Sequence, residues 1–421
     1  MFRKIRKINS KVMGWVLYDW ANSAFATTVM AGFFPLFYKN YWNTSVSAAE
    51  SSARLGTTIS IASLIIALFS PFLGYIADHN SNRKGFTFGF MLLGTLSCGL
   101  LFFVPEGSWL LASVLYGLAM IGFASSCIYY DSLLSLVAED SDLHQISALG
   151  YSLGYLGGGI LFLINVFMYL YPHLFGFPSQ SFAVQFSFLT VSLWWFIFSL
   201  PLFFLVQEPK LFKTERIQFH RVFKISIQAI SQTLQEIKQN KVLMYFILAY
   251  WFYIDGVFTV ITMAMDFGIG IGLEKSDLIK ALLITQFVGF PATLIYGPLS
   301  KKWGALSVLK VLLVFYLIII FLGSQMTESL HFYLLAALVG LFQGGVQSLS
   351  RSQFTLMVPR TSSARYFAFF DVIGKFASIL GPLVVGWTTY LTQSSRIGIM
   401  GLSILLGIGL WLLQKVTFKK S

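Results

Sequence analysis

From Lys11 to Tyr38 the chain reads KVMGWVLYDWANSAFATTVMAGFFPLFY, a hydrophobic run long enough to cross a bilayer. About 20 apolar residues at ~1.5 Å each cover a hydrocarbon core of roughly 30 Å. Eleven comparable runs follow. Hydropathy places the twelve spans at 12–38, 56–77, 86–104, 109–130, 146–171 and 183–206, then at 242–264, 278–297, 305–324, 332–350, 367–391 and 397–414. The expected fold class is therefore an all-α membrane protein of twelve transmembrane helices.

Composition agrees. Only 11% of the 421 residues are charged and 56% are hydrophobic, against about 25% charged in a soluble domain. The net charge of +12 could suggest nucleic acid, but Lys and Arg sit in short loops between apolar runs, where they set topology. No nucleic-acid partner is expected; the lipid bilayer is. Cys98 and Cys127 both lie inside apolar runs and offer neither a disulfide framework nor metal spacing. Gly374-Lys375 lacks the glycine spacing and the Ser/Thr of a nucleotide-binding loop, which argues against ATP-driven transport. The N-terminal MFRKIRKINSK resembles the basic start of a signal peptide. The run after it is too long, contains Asp19 and lacks a small-residue cleavage site, so a retained first span is expected.

The spans divide into residues 1–206 and 242–421, joined by a basic polar segment at 207–241 that holds Lys210, Lys213, Arg216, Arg221, Lys224 and Lys238. Within it, IQFHRVFKISIQAISQTLQEI reads equally as an amphipathic interfacial helix or as a solvated linker. Basic residues precede span 1, follow spans 2, 8 and 10, and close the chain, while the alternate loops are nearly free of them. The positive-inside rule then puts both termini and the linker in the cytoplasm. The loop after span 4 is the exception, being acidic at Asp131, Glu139, Asp140 and Asp142.

Span 2 ends in Gly74-Tyr-Ile-Ala-Asp78 followed by Arg83 and Lys84, and span 8 ends in Gly297-Pro-Leu-Ser-Lys301-Lys302-Trp-Gly304. Both resemble the loop motif of the major facilitator superfamily. The resemblance implies a glycine for close helix approach, with the acid and bases as a cytoplasmic gate latch. Lys301 stands where the second copy should carry an acid, which makes the first copy the better candidate for a working latch.

Polar residues inside the apolar runs mark the candidate site. Asp19 lies about 12 Å past Lys11 by helical rise, and Asn22 and Ser23 share its face at i+3 and i+4. In span 7, Asp255 lies about 21 Å past Lys241, on a stripe with Trp251, Thr259 and Thr262. Such acids are expensive in hydrocarbon, so each either serves transport or is hydrogen-bonded by a neighbouring helix. Gln343, Gln347 and Arg351 recur at i, i+4 and i+8 in span 10, and Gln286 in span 8 is a further cavity candidate. Asp371 and Lys375 at i, i+4 in span 11 read as a structural ion pair. Tyr151 and Tyr155 could line a cavity or simply pack, and Gly154, Gly157, Gly158 and Gly159 would let a backbone approach span 5. Spans 3, 6 and 12 carry no ionisable residue and span 9 only Lys310. In the major facilitator fold these four are the lipid-facing helices.

YDWANSAFATTV, YIDGVFTV, SLGYLGG and GGVQSLSRS together look like the signatures of one subgroup, the "unknown major facilitator" family that includes the autophagy-related vacuolar effluxers of fungi. The resemblance implies two pseudo-symmetric six-helix halves and secondary transport, with amino acids as the leading solute. Asp19, Asn22, Asp255, Gly256, Gln347, Ser350 and Arg351 fall on those signatures. The expectation is a proton-coupled carrier of a small polar solute, monomeric, in a bacterial inner membrane. It needs no cofactor and no metal, and it is not an enzyme. Asp19 and Asp255 would bind a substrate amine or exchange protons, and Gln347 and Arg351 would meet a carboxylate unless Arg351 serves a gate. The competing reading is a non-transporting receptor or sensor on a transporter scaffold.

Overall fold

The computed structural model describes residues 9–209, 228, 231–270, 274–392 and 394–416. All regular structure among them is helical. The long helices are α1 (Ser10–Ala24), α2 (Ala48–His79), α3 (Arg83–Leu100), α4 (Trp109–Ser132), α5 (Leu143–Leu170) and α6 (Gln180–Leu205). The second set is α7 (Lys241–Gly270), α8 (Lys275–Trp303), α9 (Ala305–Ser324), α10 (Ser329–Met357), α11 (Ser363–Thr392) and α12 (Leu402–Gln414). Ten stretches among the described residues are long and apolar enough to cross a membrane. Two further long helical segments are α11 and the first span, whose helix changes winding.

The first span continues past α1 as π-helix over Phe25–Phe33, returns to α over Phe34–Phe37 and widens again over Tyr38–Trp42. Pro35 has no N–H to give to the turn before it, and the Phe34 N–H reaches back five residues to the Val29 carbonyl. Several helices outrun their hydropathic cores. The 32 residues of α2 extend about 48 Å, well beyond a ~30 Å hydrocarbon slab.

Helix packing repeats with an offset of six. The pairs α1–α5, α1–α6, α3–α4, α3–α6 and α2–α4 have counterparts in α7–α11, α7–α12, α9–α10, α9–α12 and α8–α10. Between the two sets, α5 packs on α8 and α2 on α11, again an interchangeable pair, as are α4–α11 and α5–α10. Helices α3, α6, α9 and α12 take no part in these contacts between the sets and leave Leu96, Phe204, Phe321, Ile404 and Trp411 exposed on the outside of the bundle. Two large apolar cores result, and each recruits residues from the other set. Ile66, Ala77 and Tyr129 join the core of α7–α12, while Ile279, Leu282 and Leu283 pack on that of α1–α6.

Of the linker, residues 210–227, 229 and 230 lie outside the described residues, and with them most of the stretch read as a possible interfacial helix. Of the part described, the helical stretch 231–239 is tied to α11. Glu236 accepts from the Arg365 guanidinium at 3.0 Å and from the Tyr366 hydroxyl.

Candidate functional site

The first and fifth helices meet along a row of glycines. A β-carbon at Gly154 would stand 2.6 Å from the Ser23 hydroxyl, and one at Gly157 would stand 2.5 Å from the Trp20 carbonyl. This close approach places Asp19 beside the start of α5, where α10 crosses from the other half.

Arg351 of α10 enters that junction and is 3% exposed. Its Nη2 donates to Asp19 Oδ2 at 2.9 Å and to the Ser147 carbonyl at 3.0 Å. Nη1 donates to Asp131 Oδ1 at 2.9 Å, and Nε donates to the Ser147 hydroxyl at 3.0 Å. The guanidinium also lies over the rings of Tyr151 at 4.1 Å and Trp15 at 4.6 Å. One cation from the second half is thus held by α1, α4 and α5 of the first. A buried guanidinium tolerates this setting because its planar fork can be filled bond by bond.

Asp19 and Arg351 each stand out in the sequence; the structure brings them into direct contact. Asp131 and Ser147, which complete the cluster, do not stand out there. Hydropathy ends the fourth span at residue 130, so Asp131 reads as the first acid of a loop, whereas α4 runs on to Ser132. The available signal is its position one turn beyond Cys127 on an otherwise apolar helix.

Farther from the linker end, Gln286 Nε2 donates to Thr27 Oγ1 at 3.0 Å, the Tyr155 hydroxyl donates to Gln347 Oε1 at 3.1 Å, and the Ser152 hydroxyl donates to the Phe290 carbonyl at 2.7 Å. All three cross between halves. Asn22 is buried with its amide 3.6 Å from Cys127 Sγ, and Ser23 faces Gly154. Gln343 is half-buried on α10, one turn before Gln347.

Asp255 occupies different surroundings. Both of its carboxylate oxygens accept the Gly381 N–H, at 2.9 and 3.0 Å, and the Thr259 hydroxyl donates to Oδ1 at 3.3 Å. Gly381 precedes Pro382, where α11 lacks one backbone donor. The acid therefore ties α7 to the interrupted stretch of α11 within the second half, while Asp19 reaches across to the first-half/second-half junction. Trp251 is half-buried one turn before Asp255, its indole Nε1 enclosed without a hydrogen-bond partner. The side chains of Thr262 and Lys375 lie outside the described residues, and the expected Asp371–Lys375 pairing lies outside them too.

Both loop motifs touch the opposite half. A β-carbon at Gly74 would stand 2.9 Å from the Ala364 carbonyl. Asp78 accepts the Ala364 and Arg365 N–H groups at 3.1 and 2.8 Å, capping the start of α11, and is paired with Arg83 at 2.8 Å. A carboxylate at a helix N-terminus satisfies orphan donors and complements the dipole. Arg83 also donates to the Arg360 carbonyl at 2.9 Å. Lys84 turns the other way, to the Phe203 and Val206 carbonyls at the end of α6. In the second copy, Gly297 abuts the Gln145 backbone, and Lys301 pairs with Asp142 of the first half at 2.7 Å. Gly304 ends α8 at φ +80°, a conformation suited to glycine. The missing second acid is thus supplied from across the interface, and polarity is reversed. Arg360 likewise pairs with Asp140, so the acidic loop that departs from the charge pattern faces cations of the other half. Among the described residues, every ion pair that crosses between halves lies at this linker end.

Residues 51–421 match the family model described as "Vacuole effluxer Atg22 like". The chain is 39% identical to the "Uncharacterized MFS-type transporter YxiO" of Bacillus subtilis (strain 168), covering 98% of this chain and 96% of that one. It is 23% identical to autophagy-related protein 22 of Coccidioides immitis (strain RS), covering 96% and 86%. Among solved structures, the major facilitator transporter FucP in its outward conformation superposes with a TM-score of 0.70 at 13% identity over 97% of this chain and 99% of that one. The proton:xylose symporter XylE superposes at 0.69 and 12% identity over 97% and 94%. At these identities the likeness is one of fold.

Proposed function

This chain belongs to the Atg22-like family of major facilitator transporters, and we propose that it carries a small polar solute, an amino acid first among candidates, by proton-coupled alternating access. The observation that carries the reading is Arg351, buried between Asp19 and Asp131 at the junction of the halves. A zwitterionic solute has an ammonium and a carboxylate. These are the charge types that could replace Arg351 beside an acid and the acid beside Arg351. Exchange of one ion pair for another lets the junction loosen without leaving a bare charge, whose burial costs several kcal/mol.

In this reading the halves 1–206 and 242–421 rock about the cluster, and the linker joins them on the cytoplasmic side of a bacterial inner membrane. Gln347, Tyr155, Gln286 and Thr27 supply neutral hydrogen-bonding groups along the same path. Their fixed dipoles can hold a solute without trapping it.

The test is uptake and efflux of a labelled amino-acid panel in proteoliposomes, with and without an imposed pH gradient. Gradient-dependent flux of one compound, lost in Asp19→Asn at unchanged protein level, is the expected result. Absence of flux for the whole panel would sink the amino-acid assignment, and flux indifferent to the gradient would sink the coupling.

A further inference from the structure

We propose that Asp131 is the residue that binds the coupled proton, while Asp19 remains the lasting partner of Arg351; the proposal rests on the proton-coupled reading above. With both acids ionised, one guanidinium faces two carboxylates through separate nitrogens. The cluster then keeps a net negative charge among the rings of Trp15, Tyr130 and Tyr151. An uncompensated buried charge is costly, and a single proton removes it.

Exposure selects Asp131 over Asp19. The Asp131 side chain is 23% exposed and that of Asp19 10%, so water at the linker end reaches Asp131 more readily. The other titratable groups facing Asp131 are the carboxyl of Asp371 on α11 and the hydroxyls of Tyr130 on its own helix, Tyr151 on α5 and Tyr250 on α7.

Protonation here has a defined mechanical result. The bond from Arg351 Nη1 weakens, whereas those from Nη2 and Nε to Asp19 and Ser147 persist. The proton thus detaches α10 from α4 and leaves it on α1 and α5.

The direct test needs no solute. Infrared difference spectra of the reconstituted protein between acid and neutral pH should contain a protonated-carboxyl band that Asp131→Asn removes, Asp19→Asn retains and Asp131→Glu shifts. A set of titrating bands unchanged in Asp131→Asn overturns the assignment, as does a band removed only by Asp19→Asn. The same vesicles are assayed with a mixture of labelled amino acids. If the Asp131 band is present but no amino acid is transported, the amino-acid assignment fails and the proton site stands. If wild type shows gradient-driven uptake and Asp131→Asn shows the same, the proton site fails and the transport reading stands.

Discussion

Gly150 lies so close to Asp19 that a β-carbon there would stand 2.5 Å from Oδ2, 2.9 Å from the Trp15 ring and 3.0 Å from Arg351 Nη2. The ion pair at the junction of the halves is therefore seated against a missing side chain. Gly150→Ala should displace the carboxylate or the guanidinium and lower transport at least tenfold. Gly56→Ala, where a β-carbon meets nothing within 4 Å, should leave it unchanged. Initial uptake rates at matched protein levels decide the comparison.

Asp78 is nearly buried, paired with Arg83 and capping α11 across the interface. Removing one partner of a buried ion pair costs about 3–5 kcal/mol, here at the expense of the state closed at the linker end. In an Asp78→Asn background, Ser135→Cys should react with a soluble maleimide at least tenfold faster than in wild type. Ser135 is buried there, with its hydroxyl 3.5 Å from that of Ser363. Equal labelling rates would show that the cap does not hold the interface.

Lys301 and Asp142 are partly exposed, so their contact should contribute only about 0.2–1 kcal/mol. Either single reversal, Lys301→Asp or Asp142→Lys, should slow transport a few-fold. The double variant should recover most of it, and a double-mutant cycle on uptake rates measures the coupling. Additive losses would deny the pair a role in the cycle.

Asp255 accepts a backbone N–H that α11 offers beside Pro382. Asp255→Asn keeps an acceptor and should retain both transport and gradient dependence. Asp255→Ala leaves the Gly381 N–H unmet in a buried site, a loss of about 1–3 kcal/mol. Thermal unfolding in detergent should show the Ala variant melting several degrees lower and the Asn variant close to wild type.

The sequence makes individual intramembrane charges conspicuous, because an acid or a guanidinium within an apolar run stands out. It does not show their partners. Arg351 and Asp19 are 332 positions apart, and no local spacing encodes such a contact. Asp19 and Asp255 look equivalent as acids inside long apolar runs, yet one reaches across the halves and the other binds a backbone within its own. Asp131 is obscured by lying where apolar character ends before the helix does. The acidic stretch Glu139–Asp142 is legible as an anomaly of loop charge, and its explanation requires Lys301 and Arg360 from the opposite half. Gly74, Gly297 and the glycine row of α5 are legible in the sequence and lie at close approaches in the structure, since there the need for a missing side chain is itself written in the residue type.

The widened turns of the first span divide it into two separately keyed rods. The rod nearer the linker is indexed by Asp19 against Arg351. The outer one is indexed by rings, with Phe34 stacked on Tyr116 at 3.7 Å and the Trp42 indole bonded to the Val104 carbonyl. Between them the Phe34 N–H reaches five residues back instead of four. In the proposed cycle that surplus residue would work like backlash in a gear train, letting the inner rod turn on exchange of its ion pair before the outer rod is obliged to follow. A carrier that must never open at both ends at once has a use for such slack in the helix that touches both.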